Sequence, residues 1–308
     1  MRLRAVMTGG ITAVQLTVLA ALGATAPATA DPGLIGCGQW AKTTVASGYG
    51  SLENLAFDGR GGLLLSEISL SGSGGALQRL TAEGARSTVA DIEAPGGIVV
   101  SGATAFVNSG NTANSGLSGL ADGSIQAVDL STGAVRPVAT GLTMPNGLAQ
   151  LPDGGFVVSR DMGADTTLTR VLPDGSMQRP APGLTSTNGL AYDPERRKLF
   201  VSTTFDATST LAVFDVDDLS AEPQRITIPG PGPMNAADDL TVGPDGAVYV
   251  ALNVLGQVVR VDPDTARTCV VANGLPFTTS VRFGSGPGWD VHSLYATSFL
   301  GTVTRLTP

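Results

Sequence analysis

Asn146-Gly147-Leu148 and Asn188-Gly189-Leu190 open two runs of one design, NGLAQLPDGGFVVS and NGLAYDPERRKLFVST. Each sets a polar residue ahead of an apolar strand, turns, and returns as a second apolar strand. The same opening occurs at Glu53-Asn54-Leu55, Gly96-Gly97-Ile98, Asp238-Asp239-Leu240 and Thr279-Ser280-Val281. Successive openings lie 43, 50, 42, 50 and 41 residues apart. Strand-rich units recurring at that period are the mark of a β-propeller. No blade can bury its faces alone, so the chain of 308 residues is read as one ring, not two domains. The expected fold is all-β, a six-bladed β-propeller of four-stranded antiparallel blades spanning residues 31–308.

Turn chemistry agrees with this reading. Pro152-Asp153-Gly154, Pro173-Asp174-Gly175 and Pro244-Asp245-Gly246 sit between apolar strands, where they act as hairpin turns. The 41 Gly, 19 Pro and only 14% charged residues suit many short strands joined tightly. The sixth blade stops after three strands, Ser280–Phe283, Leu294–Thr297 and Thr302–Leu306. Trp40–Val45 is expected to supply its missing outer strand and so close the ring, leaving no exposed edge. One connection is unusually long and polar, Ser109–Gly123. By strand direction it lies on the face where the repeated openings gather, as a lid or as a plain insertion.

Residues 1–30 read as a secretion signal. Arg2 and Arg4 precede the mostly apolar Ile11–Leu22, and Ala28-Thr29-Ala30 is a small-residue cleavage site. A retained anchor is the alternative, although the apolar run is short for a membrane span. A secreted protein is therefore expected. Cys37 and Cys269, the only cysteines, are expected to form a disulfide that helps fasten the seam of the ring, with two buried thiols as the alternative. The net charge of −8 becomes more acidic once Arg2 and Arg4 are removed, which argues against nucleic acid and anionic lipid as partners. A small-molecule substrate and a monomer are expected, with no membrane association after signal removal.

Equivalent positions of a closed ring converge on one axis. Here that column reads Glu53, Gly96, Asn146, Asn188, Asp238 and Thr279. Two carboxylates and two amides at one point make an oxygen-rich site for a hard cation, and the absence of Cys and His disfavours zinc. Two carboxylates in a narrow channel also repel, and a divalent ion relieves that. The plain alternatives stay open: Asn-Gly is first of all a turn signal, and Glu53 and Asp238 could be solvated strand ends. Asp239 alternates away from Asp238 along the strand and is expected to face outward, with support of Asp238 as the second reading. His292, the single histidine, falls at the opposite face, which leaves no Ser-His-Asp triad and no histidine-dyad lactonase.

Glu53 at the head of ENLAFD, the two Asn-Gly-Leu runs, DDLTVGPDGAVYVA from Asp238, and the closing TTSVRFG and SLYATS occur in a characteristic order. With them the chain resembles the SMP-30/gluconolactonase-like six-bladed propellers over about residues 50–300. The resemblance implies that Glu53, Asn188 and Asp238 bind a divalent metal, usually calcium, with magnesium or manganese as alternatives. It makes Asn146 a further ligand and Asp238 the general base. Asn146 and Thr279 become candidates to contact substrate. Met144 stands where sugar-lactone members often carry Arg. Three functions follow: a metal-dependent hydrolase of a lactone or related ester, the same site turned to organophosphate hydrolysis or natural-product condensation, and a non-enzymatic exported propeller with a structural calcium.

Overall fold

A computed structural model of the chain describes residues 35–69, 74–180 and 183–308. The expected signal segment lies outside the described residues. Six antiparallel sheets follow one another, and their inner strands are Ser51–Phe57, Ile98–Ser101, Leu148–Gln150, Thr187–Asp193, Ala237–Val242 and Thr278–Phe283. Each inner strand packs beside the next, and the sixth packs beside the first, so the ring is closed. The protein is a six-bladed β-propeller.

The apolar residues of successive strands explain the closure. Among the described residues six apolar clusters occur, one at each junction between blades. Phe200 and Leu211 of blade 4 meet Leu240 and Val250 of blade 5. Leu52 and Leu63 of blade 1 meet Tyr295 and Val303 of blade 6 across the seam. Each such side chain contributes roughly 1.5–3 kcal/mol by leaving water. A blade stripped of its neighbours would expose both faces, so the ring is stable only as a whole.

The seam is closed as expected, by a strand from before blade 1. Ala41–Ala46 pairs antiparallel with Thr302–Thr307, completing blade 6. Trp40, just ahead of it, packs on Tyr249 and Phe283 at ring-centre distances of 5.6 and 6.4 Å. Cys37 and Cys269 are bonded, with Cα atoms 5.5 Å apart. The bond ties the segment before the seam strand to the outer strand of blade 5. A feature absent from the sequence reading accompanies it: Ile35–Gly36 forms a short parallel pair with that outer strand, making blade 5 five-stranded.

Around the axis the inner strands are not regular. The ladders slip by one residue at Glu53, at Asn188-Gly189, at Asp238-Asp239 and at Thr279-Ser280. These are β-bulges, which bend a strand and re-aim its side chains. They fall on the column residues. Glycine takes part for a different reason from the one Asn-Gly first suggests. A Cβ on Gly189 would stand 2.5 Å from Cα of Asp239, and one on Gly97 2.6 Å from the Leu148 nitrogen. These glycines lie at the start of inner strands, where adjacent backbones crowd together near the axis.

Candidate functional site

Two stacked layers of side chains fill the axial channel at the column end. The upper layer is the column itself. The lower layer holds the next residue of each strand: Asn54, Gly97, Gly147, Gly189, Asp239 and Ser280. Three consecutive blades thus give glycine, and the other three give a hydrogen-bonded trio. The Asp239 carboxylate accepts from Asn54 Nδ2 at 2.8 Å and from Ser280 Oγ, and pairs with Arg282 Nη1 at 2.9 Å. Asp239 is buried, at 3% exposure. The outward orientation expected from strand alternation is therefore wrong, because the bulge at Asp238-Asp239 breaks the period of two. Asp239 plugs the channel and joins blades 5, 6 and 1.

A hydrogen-bonded belt fixes the upper layer from behind. The residue opposite each bulge, on the second strand of a blade, donates to the backbone carbonyl of the column residue in the next blade. Ser66 reaches Gly96 O at 2.6 Å, Asn108 reaches Asn146 O at 2.9 Å, Ser159 reaches Asn188 O, and Ser202 reaches Asp238 O at 2.6 Å. Thr279 continues the belt. Its hydroxyl donates to Leu52 O at 2.8 Å, lies 2.9 Å from Thr297 Oγ1, and is fully buried. That hydroxyl is placed to clasp blade 6 to blade 1, not to meet a substrate as expected.

The carboxylates and amides of the column are gathered on the face where the belt places them. Glu53, Asn146, Asn188 and Asp238 are each no more than 7% exposed. Glu53 Oε1 accepts from Asn111 Nδ2 at 3.1 Å, Asp238 Oδ2 from Asn253 Nδ2 at 3.0 Å, and Asn188 Nδ2 donates to Thr204 Oγ1 at 2.9 Å. A fourth group was not foreseen. Asp161, in the connection after the second strand of blade 3, is buried beside them and takes a hydrogen bond from Asn146. The signal for these partners is positional. Asp161, Thr204 and Asn253 each lie two residues beyond the second-strand residue that faces the bulge, namely Ser159, Ser202 and Ala251.

The electrostatics of this group are unfavourable for anions. Burial pushes the Glu53 carboxyl up to about 8, repulsion from Asp161 and Asp239 adds to it, and the Asn111 hydrogen bond opposes it. Burial, then repulsion from Glu53, Asp239 and Asp161, raises Asp238 well above the usual carboxylate range against the Asn253 bond. Asp161 is pushed up to about 6 by burial, against its own backbone bond, the Asn146 bond and the charge of Arg160. Among the described residues none of the three forms an ion pair.

The donor set fits a hard cation. Asn188 Oδ1 and Asp161 Oδ1 are buried acceptors with no hydrogen-bond partner, an uncommon state that an ion would satisfy. Among the described residues no three His, Cys, Asp or Glu side chains come together tightly enough to hold a metal unaided. An ion here would rest on amide oxygens as well as carboxylates, which suits calcium, magnesium or manganese better than zinc.

The 109–123 connection does lie on this face. Beyond Asn111 it forms a helical turn, α1, Ala113–Ser118, capped by Thr112. Ser115 Oγ accepts from the Met144 nitrogen at 3.1 Å, and Gly116 O from Arg160 Nη2 at 2.6 Å. The segment is thus fastened across blades 2 and 3 beside the column. At the far mouth of the channel lies a wider cavity of about 720 Å³, lined by Tyr192, Arg196 and Arg282 among others. Its two arginines are already paired, with Asp193 and Asp239, both at 2.9 Å. His292 is exposed near that end, its nitrogen bonded to Asp290 Oδ1 at 3.0 Å. The unpaired chemistry sits at the column, not at the larger cavity.

The model of the SMP-30/gluconolactonase/LRE-like region matches residues 58–299, well over half of the chain. The chain belongs to this family. Among solved structures, a gluconolactonase from Xanthomonas campestris is 19% identical, with a TM-score of 0.65, 87% of this chain and 89% of that one being covered. A luciferin-regenerating enzyme is 16% identical at a TM-score of 0.63, covering 87% of this chain and 95% of that one. A chain of the nidogen/laminin complex is also 16% identical, at 0.60, covering 74% and 83%. At such identities the likeness establishes the propeller alone, and the last example warns that a fold does not fix a function. No curated protein sequence matches the chain. Within the SMP-30/gluconolactonase/LRE-like family, a lactonase-like propeller is the reading the membership supports. Among the described residues no helix is long and apolar enough to cross a membrane.

Proposed function

We propose that the protein is a secreted, divalent-cation-dependent hydrolase acting on a lactone or related ester. The observation that carries the reading is the set of three buried, unpaired carboxylates from different blades beside partnerless amide and carboxylate oxygens. Glu53, Asn146, Asn188 and Asp238 hold the ion, with Asp161 as a further oxygen donor that the sequence motifs did not mark. A bound divalent cation supplies Lewis-acid polarisation of an ester carbonyl.

Asp238 acts as the base. Asn253 fixes its Oδ2, and no described side chain donates to its other oxygen, which is left to take a proton from water. The resulting hydroxide adds to the carbonyl carbon. The ring C–O bond then breaks, and the proton on Asp238 passes to the departing alkoxide, giving a hydroxy acid. The belt of Ser159 and Ser202 fixes the backbone of Asn188 and Asp238, so the oxygens need little rearrangement as charge develops. The disulfide is compatible with an extracellular location.

The test is a panel of lactones and aryl esters given to the purified protein. Turnover is expected to disappear with chelator and return with calcium or manganese. Full turnover in excess chelator would overturn metal dependence. No turnover of any lactone or ester by ion-loaded protein would overturn the hydrolase reading, leaving the ion a structural one.

A further inference from the structure

We infer that the substrate of this site is an amphiphile, with its ester group at the axis and an alkyl or aryl body lying on an apolar rim over blades 4 to 6. The inference rests on the axial site being the substrate site and concerns what else must fit there. It starts from a recurrence in register. On each of these blades, the second strand ends in a polar residue of the column region and the next residue is an exposed large apolar one. Thr204, which holds Asn188, is followed by Phe205 at 46% exposure. Asn253, which holds Asp238, is followed by Val254 at 40%. Ser298, one residue after Thr297 of the belt, is followed by Phe299 at 38% and Leu300 at 54%.

Consecutive Cα atoms are 3.8 Å apart, so this rim adjoins the residues that line the column without a gap. A second element widens it. The helical turn α2, Gly232–Asn235, packs its first residue against the Asp206 carbonyl, and it carries Met234 at 50% exposure beside the Phe205 hairpin. Single exposed apolar residues need no explanation, but five on adjacent connections of one face form a patch. The patch borders a floor of buried oxygens. A ligand matching both has a carbonyl head and an apolar body. A polyhydroxylated ring would leave the patch wet, and a wholly apolar ligand would leave the carboxylates without a partner.

The test uses γ-lactones with one ring and alkyl chains from methyl to heptyl. It is paired with the corresponding γ-alkyl lactams, which resist hydrolysis and report binding alone by calorimetry. Burying a methylene contributes about 0.8 kcal/mol, so kcat/KM for the lactones and the affinity of the lactams are expected to rise roughly 3–4-fold per added carbon over the first few carbons. Phe205→Ser with Phe299→Ser is expected to flatten both slopes, and Leu300→Ser replaces Phe299→Ser should that variant fail to fold. A flat chain-length series in the wild type overturns the inference, whether or not short lactones are hydrolysed. Lactones that are inert while lactam affinity still climbs with chain length would sink the hydrolase reading and keep the amphiphile site. Co-sedimentation with phosphatidylcholine vesicles, or a dimer in light scattering, either one abolished by the same substitutions and accompanied by flat lactam affinities, would show that lipid or a second copy covers the rim and would overturn the inference.

Discussion

Asp238→Asn is expected to remove about 10²–10⁴-fold of kcat/KM while making the metal-free protein more stable, and Asp239→Ala is expected to do the reverse to stability. The two residues are neighbours in sequence and both are buried, yet their surroundings differ. Asp238 has one hydrogen-bond donor, Asn253, and faces Glu53 and Asp161 as repelling charges. A neutral amide of the same shape relieves that repulsion. Asp239 instead receives Asn54, Ser280 and Arg282. Removing it strands the Arg282 guanidinium, whose side chain is 19% exposed, and unties three blades at the channel plug. Breaking a buried pair from one side costs about 3–5 kcal/mol, which at this chain length lowers Tm by roughly 10 °C. Thermal melts in chelator, alongside turnover with calcium, check both. Equal destabilisation by the two substitutions would contradict the separate roles.

The metal-free protein is expected to lose stability as pH rises from about 5 to 8. Glu53 sets the sign. Its folded pKa, pushed up to about 8, lies above the ordinary 4.5 of the unfolded chain, so the folded state holds a proton that the unfolded state releases. That contribution is complete below about 4.5 and is lost as pH climbs through 8. At roughly 1.4 kcal/mol for each tenfold change, the loss reaches up to ~5 kcal/mol. Asp161, at about 6, adds in the lower part of the same window. A divalent cation competes with those protons, so excess calcium should restore stability most at pH 8 and flatten the profile. Melting curves across this range in chelator and in calcium provide the check. A chelated protein whose Tm is level from pH 5 to 8 would contradict the electrostatics described.

Much of the ring was legible because its period is carried by the inner strands, where the chemistry also sits. Leu55, Ile98, Leu148, Leu190, Leu240 and Val281 repeat as apolar marks, and the polar residues ahead of them were readable as a column. The seam strand could be inferred by counting, since blade 6 lacked one. Asp239 was misread because a bulge, invisible in sequence, cancels the alternation that strands otherwise obey. Asp161 was missed because it belongs to the end of a second strand, and only the folded hairpin brings it to Asn146. Thr279 looked like a ligand by position, whereas its hydroxyl is taken by Leu52 and Thr297. The apolar rim follows from exposure, a tertiary property. Phe205 and Phe200 are alike in sequence, but one is exposed on a hairpin and the other is buried at 0%.

The central claim is that sequence-distant oxygens around the axis share one divalent cation. A crystal structure of the protein loaded with manganese, with anomalous scattering recorded at a wavelength that reveals it, tests this most directly. The account predicts a single strong peak among Glu53, Asn188 and Asp238 at oxygen-ligand distances of about 2.0–2.6 Å, weakened or lost in Glu53→Gln. An axis empty of anomalous signal, or a peak bound only elsewhere on the molecule, would contradict it.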